Sequence, residues 1–305
     1  MAVRLASGVI VVWSAVTIAF FVLRVLPGSQ NVSGLIGAAG KQLTPEQIDE
    51  ARRQLGLDRP LTVQYFSYLG NLLRGNLGSS YIQKQPVVDI LAAPFLATLQ
   101  LSIIALAVSW IMAVVWTLST GGRRSLAESV GRVVEIVSTS LPQFWLGLML
   151  LLVFGSGLHW FPVSGGKGFT SLVLPVLTLA IPLAGLIGQL TRGSFEDALS
   201  QPFMLSARAR GLSNEAARRR HALRHALLPG LAFSGQAMGY LLGGALVVEQ
   251  IFARPGIGRI IFQAVSSKDL PVVLGVVILV AVSYVVIGIL IDILYRVVDP
   301  RIGQL

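Results

Sequence analysis

Long apolar stretches separated by short basic segments constrain this sequence more than any other feature. Of its 305 residues, 54% are hydrophobic and only 12% are charged, and the mean hydropathy is +0.74. A soluble domain needs a larger charged share to cover its surface. About 20 consecutive apolar residues are enough for a helix to cross a bilayer. The sequence therefore predicts an all-α membrane protein.

Six apolar stretches predict six transmembrane helices. Prolines are expected to break or bend two of them: Pro142 lies in the third, and Pro175 and Pro182 lie in the fourth. Basic residues flank the stretches, and the positive-inside rule then places both chain termini in the cytoplasm. The protein is accordingly expected in the cytoplasmic (inner) cell membrane. The predicted spans are 5–26, 95–118, 133–154, 172–190, 231–248 and 272–295.

The larger outer loop is the polar segment between the first two spans. Thr44 is followed by a proline and an acidic residue, which predicts the start of an amphipathic helix that ends near Gly56. The chain is thus expected to divide into three parts: a first transmembrane helix (1–26), an extracytoplasmic cap segment (27–94) and a five-helix core (95–305).

The most basic segment lies between the fourth and fifth spans, at residues 201–229, and is predicted to be cytoplasmic. Pro202 suits the first turn of a helix and Gly211 suits the left-handed turn after it, so a short helix is predicted between them. Ser213 can cap a second helix, rich in arginine, that is expected to continue until Pro229. We interpret the segment as a docking surface; membrane topology alone is the alternative explanation of its charge.

Enzymatic chemistry finds little support in the sequence. A Gly-x-x-x-x-Gly-Lys-Ser/Thr phosphate loop does not occur, and there are no cysteines for thiolate catalysis or metal binding. His221 and His225 lie one helical turn apart but have no third ligand nearby, so we expect no metal site. The net charge is +10, yet the basic residues are not interleaved with aromatic ones, which favours membrane topology over nucleic-acid binding.

Polar side chains inside the predicted spans are candidates for a translocation pathway, because such groups are costly in a bilayer. Hydrogen bonding between helices is the alternative explanation for each of them. The candidates are Gln143, Gln189, Gln236, Tyr240 and Glu249.

The run Ala207-Arg208-Ala209-Arg210-Gly211-Leu212, followed by the arginine-rich helix, resembles the coupling loop of ABC importer permeases of the dipeptide/oligopeptide/nickel branch. In that family the loop inserts into a groove on the ATPase subunit. The resemblance implies that Ser206, Ala207, Arg208, Ala209, Arg210, Gly211 and Leu212 couple this chain to an ATPase. Leu205 departs from the pattern, because it stands where the family has a glutamate.

Further matches extend the resemblance over nearly the whole chain. Asn76 is a departure, since it stands where an aspartate is usual, and this weighs against an acidic site in the outer segment. The matching motifs are Leu55-Gly56-Leu57-Asp58-Arg59-Pro60-Leu61, Glu249-x-x-Phe252-x-x-Pro255-Gly256-Ile257-Gly258-Arg259, Lys268-Asp269-Leu270-Pro271 and Asp299-Pro300-Arg301.

The resemblance implies a non-catalytic transport subunit for di- or oligopeptides. It would pair with a second, similar permease and with two ATPase subunits that bind ATP and magnesium, and it would receive substrate from an extracytoplasmic binding protein. Nickel or another small solute is the alternative substrate within the same branch. A stand-alone channel or secondary transporter is the alternative of another class, but the inverted repeat and intramembrane charges typical of such proteins are not evident.

Overall fold

The computed structural model describes residues 2–25, 44–54, 56, 58–122, 126–165 and 168–298, and helices make up nearly all of their regular structure. The α-helices are α1 (Ala2–Val25), α2 (Pro45–Gln54), α3 (Leu61–Leu73), α4 (Val87–Thr120), α5 (Leu126–Ser140), α6 (Gln143–Leu150), α7 (Thr170–Leu199), α8 (Pro202–Ala209), α9 (Asn214–Ala217), α10 (Leu223–Ile251), α11 (Ile257–Ser266) and α12 (Leu270–Val298). Two π-helical turns, Leu151–Gly157 and Arg218–Ala222, extend α6 and join α9 to α10.

The chain forms two compact units. The first consists of residues 1–97 and 255–285, and the second of residues 98–254 and 286–305. Helices α4 and α12 run through both.

Apolar helices of membrane-spanning length confirm the all-α membrane class. Among the described residues, four helices qualify: Val87–Thr120, Thr170–Leu199, Asn214–Ile251 and Leu270–Ile291. A fifth candidate is the pair α5 and α6, which is bent by 101°. The apolar part of α1, Ala6–Val22, is shorter, and the predicted first span extends beyond the described residues. The layout with six spans remains a prediction.

Pro142 breaks the third predicted span, as expected. Helix α5 ends at Ser140, and α6 begins at Gln143 after Pro142 in an extended conformation. The hydroxyls of Thr139 and Ser140 both donate to the carbonyl of Ile136, at 2.8 Å each. Such local bonds between side chain and backbone compete with the helical pattern and favour its end at this place.

Pro175 and Pro182 do not break the fourth span, so the prediction of a break was wrong. Helix α7 is continuous across both, and both prolines are buried. A proline inside a helix costs about 3 kcal/mol, which the close packing around α7 outweighs. The Ser109 hydroxyl of α4 also lies 3.2 Å from the Ala180 carbonyl, which is one of the close contacts between α4 and α7.

Pro229 does not end the arginine-rich helix, which corrects a second prediction. The helical run continues from Asn214 to Ile251, so the second half of the basic segment is an extension of a span. Tight packing beside the proline explains this. A Cβ added to Gly230 would lie 2.5 Å from the ring of Trp110, whose indole N–H donates to the Ser234 hydroxyl at 3.0 Å.

The core of the second unit is formed by α4, α7 and α10. Its side chains are apolar and almost completely buried, and they include Leu101, Leu179, Leu183, Ile187 and Leu241. Within a bilayer such contacts stabilise by van der Waals packing, because lipid is as apolar as the core itself.

Candidate coupling surface and pathway residues

Helix α8 is a short helix with well-defined ends. Gln201 precedes it in an extended conformation, Pro202 occupies its first turn, and Gly211 follows it at φ +89°. The Gly211 N–H donates to the Arg208 carbonyl at 2.9 Å and the Leu212 N–H to the Ala207 carbonyl at 3.3 Å. The predicted helix and its glycine turn are therefore confirmed.

The two faces of α8 differ sharply in exposure. Met204 and Ala207 are each 1% exposed and pack against Phe195 of α7 and Ala226 of α10 within one apolar cluster. On the opposite face Leu205 is 71% exposed. This arrangement fastens α8 to two long helices while it leaves an outer face available to a partner.

The predicted coupling residues divide between these faces. Ala207 is buried and Leu212 is half-buried, so both hold α8 in place. The other five are exposed together, on α8 and the turn after it: Ser206, Arg208, Ala209, Arg210 and Gly211.

Ser213 caps the helix that follows, as the sequence predicts. Its hydroxyl accepts from the Ala216 N–H at 3.2 Å. Together with Gly211, this cap fixes the angle at which α8 meets the next helix.

Arg218 has a structural role that the sequence analysis missed. Its guanidinium donates to the carbonyls of Gly121 at 2.7 Å and Leu118 at 3.2 Å, and it lies 5.0 Å from the centre of the Phe195 ring. A cation at the carboxyl end of a helix complements the helix dipole, so Arg218 fastens the basic segment to the end of α4. The neighbouring arginines Arg219, Arg220 and Arg224 are exposed.

A buried ion pair joins α5 to α7. The Glu135 and Arg192 side chains are each 4% exposed, and the guanidinium meets the carboxylate in a bidentate arrangement at 2.8 and 2.9 Å. Arg192 also donates to the Thr120 hydroxyl at 2.5 Å. Gly188 permits this approach, since a Cβ there would lie 3.2 Å from the Glu135 carboxylate. The available sequence signal was an ionisable residue within the third predicted span and another just after the end of the fourth.

The structure places Gln143 at the break between α5 and α6. Its amide packs against Gly244 of α10, where a Cβ would lie 2.5 Å from the Gln143 Oε1. The Gln143 Nε2 is buried and has no hydrogen-bond partner among the described residues.

Gln236 and Tyr240 lie one turn apart on an exposed face of α10. Tyr240 is 50% exposed, and Gly243 continues the same face, where an added Cβ would meet nothing within 4 Å. Gln189 is exposed on α7 and its amide lies 3.4 Å from the Thr139 hydroxyl.

Glu249 is the remaining pathway candidate, and it is fully buried at the end of α10. Its carboxylate accepts from the Thr98 hydroxyl at 2.5 Å. Arg254 follows in the next loop; burial lowers the pKa of its guanidinium, and the charge of Glu249 opposes this shift. The structure thus separates Glu249 from the exposed polar face of α10.

Comparison with known proteins identifies the family. The profile described as "Binding-protein-dependent transport system inner membrane component" matches residues 106–304, and its N-terminal companion matches residues 1–102. The chain belongs to this family. It is therefore the membrane permease subunit of an ABC importer, as the sequence motifs indicate.

Similar permeases match over nearly the whole chain. The glutathione transport system permease protein GsiC of Salmonella choleraesuis (strain SC-B67) is 35% identical over 288 residues, which cover 93% of this permease and 92% of that protein. GsiC of Escherichia coli (strain K12) is 34% identical over the same shares.

Two solved structures share the fold. A crystal structure of an amino acid ABC transporter with histidines matches with a TM-score of 0.50 at 18% identity, over 70% of this permease and 94% of that chain. The methionine ABC transporter MetNI, in an inward-facing conformation, matches with a TM-score of 0.54 at 14% identity, over 69% and 96%.

Proposed function

We propose that this permease forms half of a pathway that imports short peptides, in the size range of glutathione. The observation that carries the proposal is the 35% identity to glutathione transport permeases across 93% of the chain. The motifs of the dipeptide/oligopeptide branch in both halves of the sequence support the same substrate class.

The partners follow from this role. A second, similar permease completes the pathway, an extracytoplasmic binding protein delivers the peptide, and two ATPase subunits bind ATP and magnesium. The chain itself then needs no cofactor and performs no catalysis.

The exposed face of α8 is the proposed contact with an ATPase. Arg208 and Arg210 place two positive charges at the carboxyl end of α8, where they interact favourably with the helix dipole. There they can also pair with acidic groups of the ATPase. Because Met204 is packed against α7 and α10, a movement of α8 is transmitted to both helices. Closure of the ATPase dimer would in this way switch access to the pathway.

The protein is proposed to cross the cytoplasmic membrane six times, with both termini in the cytoplasm. Residues 1–26 form the first span, residues 27–94 form an extracytoplasmic cap, and residues 95–305 form the five-helix core. This orientation brings α8 to the cytoplasmic side, where ATP is found.

The pathway would be lined by polar residues of α6, α7 and α10. Gln236 and Tyr240 support this assignment best, because an exposed polar face is costly against lipid but suits a water-filled pathway. Gln143 and Gln189 complete the proposed lining, while Glu249, which is fully buried, would act on the pathway from behind this lining.

Uptake by cells tests the proposal. Cells that lack the gene for this chain are compared with complemented cells for uptake of radiolabelled glutathione, trialanine and nickel. We expect complementation to restore uptake of at least one of the two peptides and to leave nickel uptake unchanged. Restoration of nickel uptake alone would establish the alternative substrate, and restoration of none of the three would refute the proposed substrate class.

A further inference from the structure

The first unit contains a cavity of about 270 Å³ beside the outer segment of the chain. One polar face of α3 lines it, with Gln64, Ser67, Tyr68 and Asn71 at the spacing of neighbouring helix positions. Phe20 of α1 and Leu274 of α12 contribute apolar surface. We call this space the cap cavity.

Tyr68 lines the cap cavity, but its hydroxyl is not accessible from the open space. Its hydroxyl is buried and has no partner among the described residues, whereas the Tyr65 hydroxyl is paired with Thr17 at 2.7 Å. A buried hydroxyl without a partner costs about 1–3 kcal/mol. Burial raises the pKa of Tyr68, so the group remains protonated.

Ring stacking and hydrogen bonds hold the residues around the cap cavity in place. The Tyr68 ring stacks on Phe20 with 5.6 Å between ring centres. Across the cavity, the Asn76 side chain accepts from the Gly78 N–H at 2.8 Å and so shapes the loop. The Asp269 carboxylate accepts from the Ser80 hydroxyl and from the Tyr81 N–H, which fastens the loop to the start of α12.

The charge of the lining selects the kind of ligand. Arg59 is the charged side chain among the described lining residues, and its carbonyl accepts from the Gln64 amide at 2.7 Å, which keeps its backbone beside α3. Asn76 carries no charge at a position where the family usually has an acid. A guanidinium together with neutral amides and hydroxyls suits a carboxylate that is attached to an amide.

We propose that the cap cavity binds the carboxyl-terminal end of a short peptide. Arg59 pairs with the carboxylate, Asn71 bonds the last peptide unit, and the surface around Leu274 accepts an apolar side chain. Ligand cavities usually begin at about 300 Å³, so this one suits the last one or two residues and not a whole oligopeptide. The proposal rests on the proposed function for the identity of the ligand.

Thiol protection tests the cap cavity directly, because the chain contains no cysteine. Ser67→Cys places a single thiol on the lining, and Leu73→Cys places one on α3 outside it, at a position that is 90% exposed. The full chain is reconstituted in lipid nanodiscs, where both membrane faces meet the solution. Labelling by a maleimide is timed with alanyl-leucine, with N-acetyl-alanyl-leucine and with alanyl-leucinamide.

We expect both peptides with a carboxylate to slow labelling of Ser67→Cys. At a peptide concentration about ten times the dissociation constant the rate falls by about tenfold, since occupancy follows mass action. The amide should protect little, and labelling of Leu73→Cys should not change with any of the three. Unprotected labelling of Ser67→Cys up to the solubility of the peptides, or equal protection by the amide, would overturn the proposal.

Two further variants assign the contacts within the Ser67→Cys background. Tyr68→Phe keeps the ring stacked on Phe20 and removes only the inaccessible hydroxyl, so protection should be unchanged. Arg59→Gln should abolish the preference for the acid over the amide. Full preference for the acid in Arg59→Gln, or weakened protection in Tyr68→Phe, would contradict the assigned contacts.

The outcome is separable from that of the proposed function. If cells take up peptides but peptides do not protect Ser67→Cys from labelling, only the cap cavity proposal is refuted. Protection without peptide uptake would leave the cavity as a peptide site and would remove the proposed transport substrate.

Discussion

Replacing Gly211 with valine should uncouple ATP hydrolysis from transport. Gly211 lies at φ +89°, a conformation that residues with a Cβ adopt at a cost of roughly 1–2 kcal/mol, with β-branched residues at the upper end. A Cβ at Gly211 would meet no atom within 4 Å, so the cost is conformational and not steric. A cost of about 2 kcal/mol raises the population of the rearranged turn about 30-fold.

The rearranged turn would lose the bond from the Leu212 N–H to the Ala207 carbonyl and change the angle of α8. We expect peptide uptake by Gly211→Val cells to fall, because in the rearranged turn α8 no longer fits the ATPase while the rest of the chain is unchanged. The amount of permease in the membrane should stay at the wild-type level. In purified complexes ATP hydrolysis should continue, but it should no longer respond to peptide and binding protein.

Gly193→Val is the matched control. Gly193 lies within α7, is exposed, and also has no atom within 4 Å of an added Cβ. Valine is no worse than glycine in a helix, so uptake should be unchanged. Gly211→Asn should retain part of the uptake, because asparagine tolerates left-handed backbone better than valine does. Wild-type uptake by Gly211→Val would refute the coupling role of the turn.

Three further substitutions test other parts of the structure. Glu135→Ala leaves the Arg192 guanidinium buried without its carboxylate, so we expect a loss of about 3–5 kcal/mol in stability. The loss is measured as a lower unfolding temperature in detergent, and an unchanged temperature would argue against the ion pair. Ser213→Ala removes a helix cap worth about 0.5–2 kcal/mol and should reduce peptide uptake, whereas Ser213→Thr should not; equal uptake by both variants would show that the cap is dispensable. Gly230→Val should destabilise the permease by about 1–3 kcal/mol, because its Cβ would lie 2.5 Å from the Trp110 ring; the same unfolding assay checks this, and wild-type stability would contradict the close packing.

The elements that sequence predicted best are those with local causes. The start of α8 at Pro202, its end before Gly211 and the cap at Ser213 each depend on the conformation of one residue and its nearest neighbours. The same holds for α2, which begins at Pro45 with an acidic residue in its first turn. Such features can be read from a few adjacent residues.

The prolines show where local reasoning fails. Pro142 ends a helix, while Pro175, Pro182 and Pro229 lie within continuous helices. The difference comes from surroundings that are distant in sequence, which bury Pro175 and Pro182. A sequence window contains the cost of a proline but not the packing that outweighs it.

The buried contacts of charged residues were also beyond prediction. Glu135 and Arg192 are separated by 57 positions, and their pairing depends on how α5 meets α7. Arg218 is the first of three successive arginines. It lies at the start of the π-helical turn, and it is the one whose side chain donates to the carbonyl of Gly121 after α4. Net charge predicted a basic surface without distinguishing the arginine that stabilises it from those that face outwards.

The role as an importer subunit is tested by purifying the tagged permease from its native membrane in mild detergent. The co-purifying proteins are identified, and ATPase activity is assayed with and without peptide. Two ATPase subunits, a second permease and a binding protein should co-purify with the tagged permease, and peptide should raise ATP hydrolysis. Arg208→Glu combined with Arg210→Glu, on the exposed face of α8, should reduce recovery of the ATPases while the second permease is retained. Recovery of the permease alone, or only with further copies of itself, would contradict its role as an importer subunit. Full recovery of the ATPases with the double variant would contradict the role of the two arginines.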